Sequence, residues 1–269
     1  MTTAQHPAQT AIPDVQATPD DRRVAIDKVG VKDVKHPFKL RTPEGGEVAT
    51  VATISMYVSL PHHQKGTHMS RFMEVLGEHK DALRPDEVAA IAEEVRQRLG
   101  AAEAHLEIRF PYFITKRAPV TKTVGLLDCE AGFEVTATAQ GVEMSMTVRA
   151  PATSLCPCSK EISAYGAHNQ RCDIEAQVWT RESIWIEEMV EILESVASSP
   201  VYPVLKRADE KFVTEAAFDN PKFVEDTVRD LAVRLDKDER IIKYRITSEN
   251  YESIHNHNAY AEIAREKGR

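Results

Sequence analysis

Two kinds of hydrophobic periodicity follow one another along the 269 residues in an order that restricts the fold. Apolar and polar residues alternate over 29–42 and 47–60, which predicts two strands joined by the turn PEGGE. Two segments with helical periodicity follow, and strand patterns return between 103 and 157. A second round has a strand over 173–180, three helical segments and a last strand over 239–253. This order predicts an α+β fold whose two halves each combine antiparallel strands with helices.

Local signals predict where the first two helices begin and end. One helix is expected to begin near Thr67 or Ser70, where apolar residues start to recur every three to four positions. The next is expected over 84–100. Pro85 suits its first turn, and Gly100 suits its end.

The second half predicts three further helices, over 183–198, 206–219 and 220–236. Asn220 precedes a proline and is interpreted as the start of the last of them. The remaining residues, 254–269, are interpreted as a polar tail that can form a helix.

The chain is predicted to form one domain preceded by an arm. Residues 1–28 are rich in Thr, Ala, Pro, Gln and Asp, which indicates a disordered or loosely attached segment. They have no basic region followed by an apolar region, so no secretory signal is expected. Residues 29–269 are predicted to form a single bimodular domain, with modules of roughly 29–120 and 121–262.

Charge and cysteine content exclude several classes of protein. The formal net charge of -8 argues against general nucleic-acid binding, so an anionic substrate would need a local basic patch. No run of 18 apolar residues is present, which excludes a membrane-spanning helix. Four cysteines in a chain of this length do not form a disulfide scaffold, and without an export signal they are expected to be reduced. A cytoplasmic protein is therefore predicted.

The strongest chemical signal is a Cys-Pro-Cys motif formed by Cys156 and Cys158. This spacing differs from the C-x-x-C of structural zinc sites, and no second such pair completes a four-thiolate site. A three-ligand metal site with an open position is the better interpretation, and such sites are typically catalytic. The alternative is that the two residues are small buried hydrophobic side chains. Cys129 and Cys172 are interpreted in that second way.

A metal site based on this motif needs further ligands. His168 lies in the loop that leads to the next strand, and it is interpreted as a ligand or an acid–base group rather than an ordinary surface residue. Asp209, Glu210 and Glu215 can each supply a carboxylate, and the residues alone leave the choice open. Most carboxylates on helices are simply solvated, so on the residues alone Glu225 is interpreted as a surface charge.

Two histidine clusters give weaker signals. His255 and His257 are two residues apart and would point the same way on an extended segment, as a metal pair, a proton shuttle or polar tail residues. The second cluster precedes the first helix, where it would either bind phosphate or form an exposed turn. It consists of His62, His63, Lys65, His68 and Arg71.

Four stretches together resemble a known family. They are TSLCPCSKEISAYGAHNQR, GTHMSRF, KRADEKFVTEAAFDNPKFVED and SENYESIHNHNAYA. The family is the prokaryotic type IB GTP cyclohydrolase I, and the resemblance extends from about Val29 to about Ala261. It implies a bimodular tunnelling fold (T-fold), a homotetramer with active sites between subunits, and the first step of folate biosynthesis. The substrate would be GTP, and the products formate and 7,8-dihydroneopterin triphosphate.

The resemblance also implies roles for individual residues. Cys156, His168 and Glu210 match the metal ligands of the family. Cys158 matches a second active-site thiol that contacts the reacting base. His255 matches a second active-site histidine, and either it or His168 would donate a proton to N7 of the purine.

Glu225 matches the glutamate that binds the guanine edge, where a carboxylate can accept from N1–H and the 2-amino group together. The triphosphate needs cations despite the negative chain, and the candidates are Lys160, Arg171, Lys65 and His68. Thiolate and imidazole ligands suit zinc, while a carboxylate and an open position also tolerate manganese or iron.

Three alternatives remain open from the sequence. The archaeal relative of this family makes a cyclic phosphate product, and nitrile-reducing T-fold enzymes use a cysteine nucleophile with NADPH. A non-catalytic metal-binding or thiol-redox module is the third. Formate release distinguishes both kinds of cyclohydrolase from the nitrile-reducing enzymes and from a non-catalytic module.

Overall fold

The computed structural model of the chain describes residues 14–16 and 18–268. The first half contains β1 (Ile26–Arg41), β2 (Glu47–Leu60), α1 (Met69–Glu78), a 3₁₀ turn (Pro85–Val88), α2 (Ala89–Leu99), β3 (Glu103–Arg117) and β4 (Val124–Thr138). The second half contains β5 (Gly141–Leu155), α3 (Pro157–Ile162), β6 (Asn169–Thr180), α4 (Ile186–Ser195), β7 (Ser199–Pro200), α5 (Arg207–Asp219), α6 (Val224–Lys237), β8 (Ile241–Asn250) and β9 (Ala259–Glu266).

The long strands form one antiparallel sheet in the order β1-β2-β3-β4-β5-β6-β8-β9, and the short β7 pairs with β5. The element order of the first half, two strands, two helices and two strands, recurs in the second half with α3, β7 and one further helix added. This agrees with the predicted α+β class and its antiparallel strands. The bounds of the two modules stay a prediction.

The helices cover one face of the sheet, and the core lies between them. On β3, for example, Leu106, Ile108 and Phe110 are buried, because alternate residues of a strand point to the same face. Glu107 and Arg109 lie between them in sequence and therefore point to the opposite face. That second face is polar along the central strands, so the sheet has one buried side and one charged side.

Most predicted elements are confirmed. The first helix begins at Met69, and α2 ends at Gly100, whose φ of 63° is left-handed and suits glycine. The predicted start of the last helix is wrong, because Asn220 ends α5 instead of beginning α6. Its side-chain amide donates to the carbonyl oxygen of Ala197 over 2.9 Å, and α6 begins four residues later at Val224.

The predicted helical tail is also wrong. Residues 259–266 form β9, which pairs with β8 along its whole length. The sequence of this segment favours a helix locally, but pairing with β8 satisfies the backbone N–H and C=O groups on the side of β9 that faces it. The short helix α3 was not predicted, because six residues are too few to show a periodic apolar face.

The predicted N-terminal arm falls partly outside the described residues, which exclude 1–13 and 17. The described part hydrogen-bonds to the connection between β2 and α1. The N–H groups of Lys65 and Gly66 donate to the carbonyl oxygens of Thr18 and Gln16, each over 3.1 Å. Within the described residues no helix is long and apolar enough to cross a membrane.

Candidate active site

The Cys-Pro-Cys motif turns the chain from β5 into α3. Cys156 follows the last residue of β5 and is the N-cap residue of α3, and Pro157 is the first residue of the helix. A proline there already has a helical φ and lacks an amide that would otherwise need a partner. The N–H of Ser159 donates to Cys156 Sγ over 3.4 Å, so the sulfur caps the helix. Cys156 is half-buried and Cys158 is exposed, which leaves the second thiol open to a ligand.

His168 lies beside Cys156 because their backbones are hydrogen-bonded. The N–H of Cys156 donates to the carbonyl oxygen of His168 over 3.1 Å, and the N–H of His168 donates to Ser159 Oγ over 3.2 Å. The imidazole is half-buried, and its Nδ1 is 3.0 Å from Oε1 of Gln170. The structure therefore brings together two of the residues that the sequence predicted as metal ligands.

The connection between β8 and β9, residues 251–258, lies against the same site. The N–H of Tyr251 donates to the carbonyl oxygen of Arg171 over 2.9 Å, and Ser253 Oγ is 3.4 Å from Nδ1 of His168. Since β8 ends beside the start of β6, this connection emerges next to the Cys156 turn.

His255 lies two residues beyond Ser253 in this connection and is exposed. Its ring stacks on His257 with centroids 5.1 Å apart. Arg171 is exposed on the neighbouring strand β6. The predicted second active-site histidine and one predicted phosphate-binding cation thus lie at the same end of the sheet as His168.

The link between α5 and α6 is also attached to this end. The N–H of Lys222 donates to the carbonyl oxygen of Leu155 over 3.0 Å, and Lys160 Nζ donates to the carbonyl oxygen of Phe218 while lying 4.3 Å from its ring centroid. Glu225 follows three residues after Lys222, in the first turn of α6, and is exposed. These contacts hold the start of α6 close to the motif.

Glu210 is placed differently. It is exposed in the first turn of α5, and eight residues of helix, a rise of about 12 Å, separate it from Phe218. Within the part of the chain that the structure describes, no three His, Cys, Asp or Glu side chains lie close enough together to hold a metal ion. The predicted ligand set of Cys156, His168 and Glu210 is therefore not assembled inside one chain.

Lys65 and His68 lie at the opposite end of the sheet. They belong to the connection that follows β2, and the end of β2 lies near the beginning of β5, through β3 and β4. The 15 residues of β5 separate that end from Cys156 by about 45 Å. His68 Nε2 is 3.1 Å from a carboxylate oxygen of Asp14. Within one chain these two residues do not join the site.

Asp209, one of the carboxylates that the sequence left open as a ligand, has a structural role instead. Its side chain is fully buried and accepts the N–H groups of Val120 and Thr121 over 2.8 Å each, the Thr121 hydroxyl over 2.6 Å and the N–H of Lys206 over 2.9 Å. Burial alone would raise the pKa of Asp209, but these hydrogen bonds outweigh it and lower the pKa below the ordinary value. Its lone pairs are occupied, so Glu210 is the available carboxylate at this turn.

A cavity of about 450 Å³ lies on the polar face of the sheet, away from the Cys156 turn. Its charged walls are largely paired, since Arg149 bonds to Asp173 and Arg245 forms two hydrogen bonds with Glu262. Glu175 is half-buried there, and burial raises the pKa of its carboxyl group. The cavity holds none of the thiol or imidazole groups, so the Cys156 turn is the better candidate site.

Comparison with known proteins adds independent evidence. A family model described as type I GTP cyclohydrolase folE2 matches residues 12–261. The chain is 51% identical over 256 residues to GTP cyclohydrolase FolE2 of Nitrosococcus oceani, which covers 95% of this chain and 96% of that protein. It is 52% identical over 255 residues to GTP cyclohydrolase FolE2 of Magnetococcus marinus, with the same coverage of both chains.

Solved structures resemble the fold at low sequence identity. A uricase from Arthrobacter globiformis superposes with a TM-score of 0.53 and 7% identity, covering 90% of this chain and 95% of that one. A uricase from Bacillus fastidious gives a TM-score of 0.54 and 11% identity, covering 90% and 93%. These likenesses show a T-fold architecture, as the sequence predicted, and say nothing about the reaction.

Proposed function

The chain belongs to the type I GTP cyclohydrolase family folE2 and is a GTP cyclohydrolase, and we propose that it releases formate from GTP and water to give 7,8-dihydroneopterin triphosphate. This reaction would supply the first intermediate of folate biosynthesis. The observation that supports the proposal best is the junction of Cys156, His168 and the 251–258 connection at one end of the sheet. The cytoplasm, where thiols stay reduced, is the proposed compartment.

We propose a divalent metal at this junction, held by Cys156, His168 and Glu210. One thiolate, one imidazole and one carboxylate suit zinc, and manganese or iron is also compatible with them. Because Glu210 is distant from the other two in a single chain, the carboxylate would come from a neighbouring subunit of a homotetramer. When bound, such an ion lowers the pKa of water and supplies a nucleophile for C8 of the guanine base.

The protein's own groups would handle protons and the base. His255 is exposed in the connection that contacts His168, and we propose that it protonates N7, which makes C8 electrophilic. Cys158 is exposed next to Cys156 and would face the base. Glu225 would accept from N1–H and the 2-amino group of guanine, and adenine offers neither of these donors to the carboxylate.

Cations for the triphosphate are proposed in two groups. Lys160 and Arg171 lie at the same end of the sheet as Cys156, so they can act from the same chain. Lys65 and His68 lie at the far end of the sheet, so they could act only from a neighbouring subunit.

Formate and pteridine assays on metal-depleted protein test the proposal. GTP is added with Zn²⁺, with Mn²⁺ or with no metal, and both formate and the fluorescence of the oxidised product are measured. We expect metal-dependent formate, a neopterin triphosphate product and loss of both in Cys156→Ala. Cys172→Ala, which removes a buried thiol of β6, serves as the control and should keep its activity.

Two results would overturn the proposal. Equal formate release with and without metal, after chelation has been verified, would remove the metal from the mechanism. A cyclic phosphate product would assign the chain the chemistry of the archaeal relatives instead.

A further inference from the structure

We propose that Gln170 fixes the tautomer of His168, so that Nδ1 carries the proton and Nε2 presents its lone pair to the metal. The inference rests on the proposed function, because it assigns His168 as a ligand. Gln170 is a positioning residue in this scheme, since it acts through the imidazole and touches neither metal nor substrate.

The contact that supports the inference is short, and the glutamine that makes it is buried. Oε1 of Gln170 lies 3.0 Å from Nδ1 of His168, and Gln170, the second residue of β6, is only 7% exposed. A carbonyl oxygen can only accept, so the ring nitrogen facing it must donate. Ser253 Oγ, 3.4 Å from the same nitrogen, can share this proton as a second acceptor.

The backbone of His168 is held as firmly as its ring. Its N–H donates to Ser159 Oγ and its carbonyl oxygen accepts the N–H of Cys156. Hydrogen bonds to the backbone and to Nδ1 thus orient the imidazole. Nε2 is the ring nitrogen left without a protein partner among the described residues. A neutral imidazole with a proton on Nδ1 has its free lone pair on Nε2, which is the form that can bind a divalent ion.

The opposite tautomer would disable the site. If Nε2 carried the proton, the nitrogen that faces away from Gln170 could not accept a metal ion. Residues that hold the second nitrogen of a ligating histidine commonly change metal affinity by 10- to 100-fold when they are replaced. Loss of Gln170 should therefore weaken metal binding without removing a ligand.

The test uses three variants of the full chain. Gln170→Leu removes the acceptor at similar size, and Gln170→Glu keeps an acceptor oxygen at the same position. Gln177→Leu is the matched control, because Gln177 lies on the same strand but bonds to Ser145 on the polar face.

The first readout is the tautomer of His168 in metal-free protein, measured by ¹⁵N NMR with labelled histidine. The His168 signal is assigned by its absence in His168→Gln. We expect the Nδ1–H form in the wild type, in Gln170→Glu and in Gln177→Leu, and a shift toward the Nε2–H form in Gln170→Leu. A wild-type ring in the Nε2–H form overturns the inference, even if every variant misfolds.

The second readout is the dissociation constant for Zn²⁺, without GTP. Gln170→Leu should raise it about 10- to 100-fold, while the other two variants stay within a few-fold of the wild type. An unchanged constant in a folded Gln170→Leu also overturns the inference. Failure of the proposed function looks different, because the tautomer would be as expected while metal-loaded protein released no formate from GTP.

Discussion

The first turns of α5 and α6 share a local motif but are anchored differently. In each helix an aspartate is the third residue and accepts the N–H of the residue before the helix. Asp209 accepts from Lys206 over 2.9 Å, and Asp226 accepts from Phe223 over 3.0 Å. Each aspartate also adjoins a glutamate with a proposed role in the active site.

The difference lies in what else each aspartate holds. Asp209 is fully buried and accepts three further hydrogen bonds from Val120 and Thr121, in the connection between β3 and β4. The side chain of Asp226 is 42% exposed, and its further contact is with Arg229, 3.9 Å away on the same helix. One capping pattern therefore serves as a tertiary anchor in α5 and as a local cap in α6.

The two glutamates are therefore fixed by different parts of the molecule. Glu210 depends on the buried anchor beside it. Glu225 depends on the link before it, where the N–H of Lys222 donates to the carbonyl oxygen of Leu155 at the end of β5. Substitutions in the two turns should therefore separate metal binding, guanine binding and stability.

The largest expected effect is on Glu210, the proposed metal ligand of α5. Glu210→Gln should lower formate release at least about 10³-fold and weaken Zn²⁺ binding, because a charged ligand is lost. Steady-state kinetics and metal titration measure the two effects. Glu215→Gln, an exposed glutamate of the same helix, is the control. Unchanged zinc affinity in Glu210→Gln would remove this residue from the metal site.

The next effect is on Glu225, the proposed guanine ligand of α6. Glu225→Gln should lower kcat/KM for GTP about 10²-fold, since it weakens two charged hydrogen bonds to the base. Zinc affinity should stay unchanged, in contrast to the α5 variant. Asp226→Asn is the neighbouring control. If Glu225→Gln lost zinc instead, the roles of the two turns would be reversed.

Much of this fold is predictable from the sequence because its strands alternate clearly. β1 and β2 were expected within a few residues of their observed bounds, and β3 to β5 lie in the region of strand patterns predicted over 103–157, because one face of each strand is buried. β9 was missed because its hydrogen bonds come from β8, a partner that local helix propensity does not reveal. The start of α6 was misplaced because Asn220 and Pro221 suit the beginning of a helix as well as the connection between two helices.

The site was predictable only where its parts are close in sequence. Cys156 and His168 lie 12 positions apart, on either side of α3 and the loop after it, and their backbones are hydrogen-bonded, so their spacing was informative. Glu210 and Glu225 were assigned only through the resemblance, since exposed helix carboxylates are usually solvated. Lys65 and His68 looked similar to other basic candidates, and only the strand directions show that they lie at the far end of the sheet.

The third prediction concerns stability. Asp209→Ala should lower Tm clearly more than Asp226→Ala, because it leaves the N–H groups of Val120 and Thr121 without their acceptor. Asp226→Ala should cost about 0.5–1 kcal/mol, the usual effect of losing one capping hydrogen bond. Thermal and urea unfolding measure both. Equal losses would show that the buried anchor contributes no more than a local cap.

The fourth prediction is the pH dependence of the stabilisation that Asp209 provides. The pKa of Asp209 in the folded protein lies below its ordinary value of 3.8, so its stabilising effect is complete above that pH. As the pH falls below 3.8, the unfolded chain takes up the proton first and the effect is progressively lost. The stability gap between wild type and Asp209→Asn should therefore narrow in acid, and a gap independent of pH would contradict the assignment.

The last prediction isolates the tertiary part of the anchor. Thr121→Val removes the hydroxyl that donates to Asp209 over 2.6 Å and leaves the capping bond from Lys206 in place. We expect a loss of about 1 kcal/mol in urea unfolding. The same change in an Asp209→Ala background should cost less, because the bond to Asp209 is already lost and only the contact of the Thr121 hydroxyl with that of Thr123, 3.0 Å away, remains. Thr115→Val, at an exposed position of β3, is the control. Additive losses in the double variant would show that the hydroxyl stabilises the loop by another route.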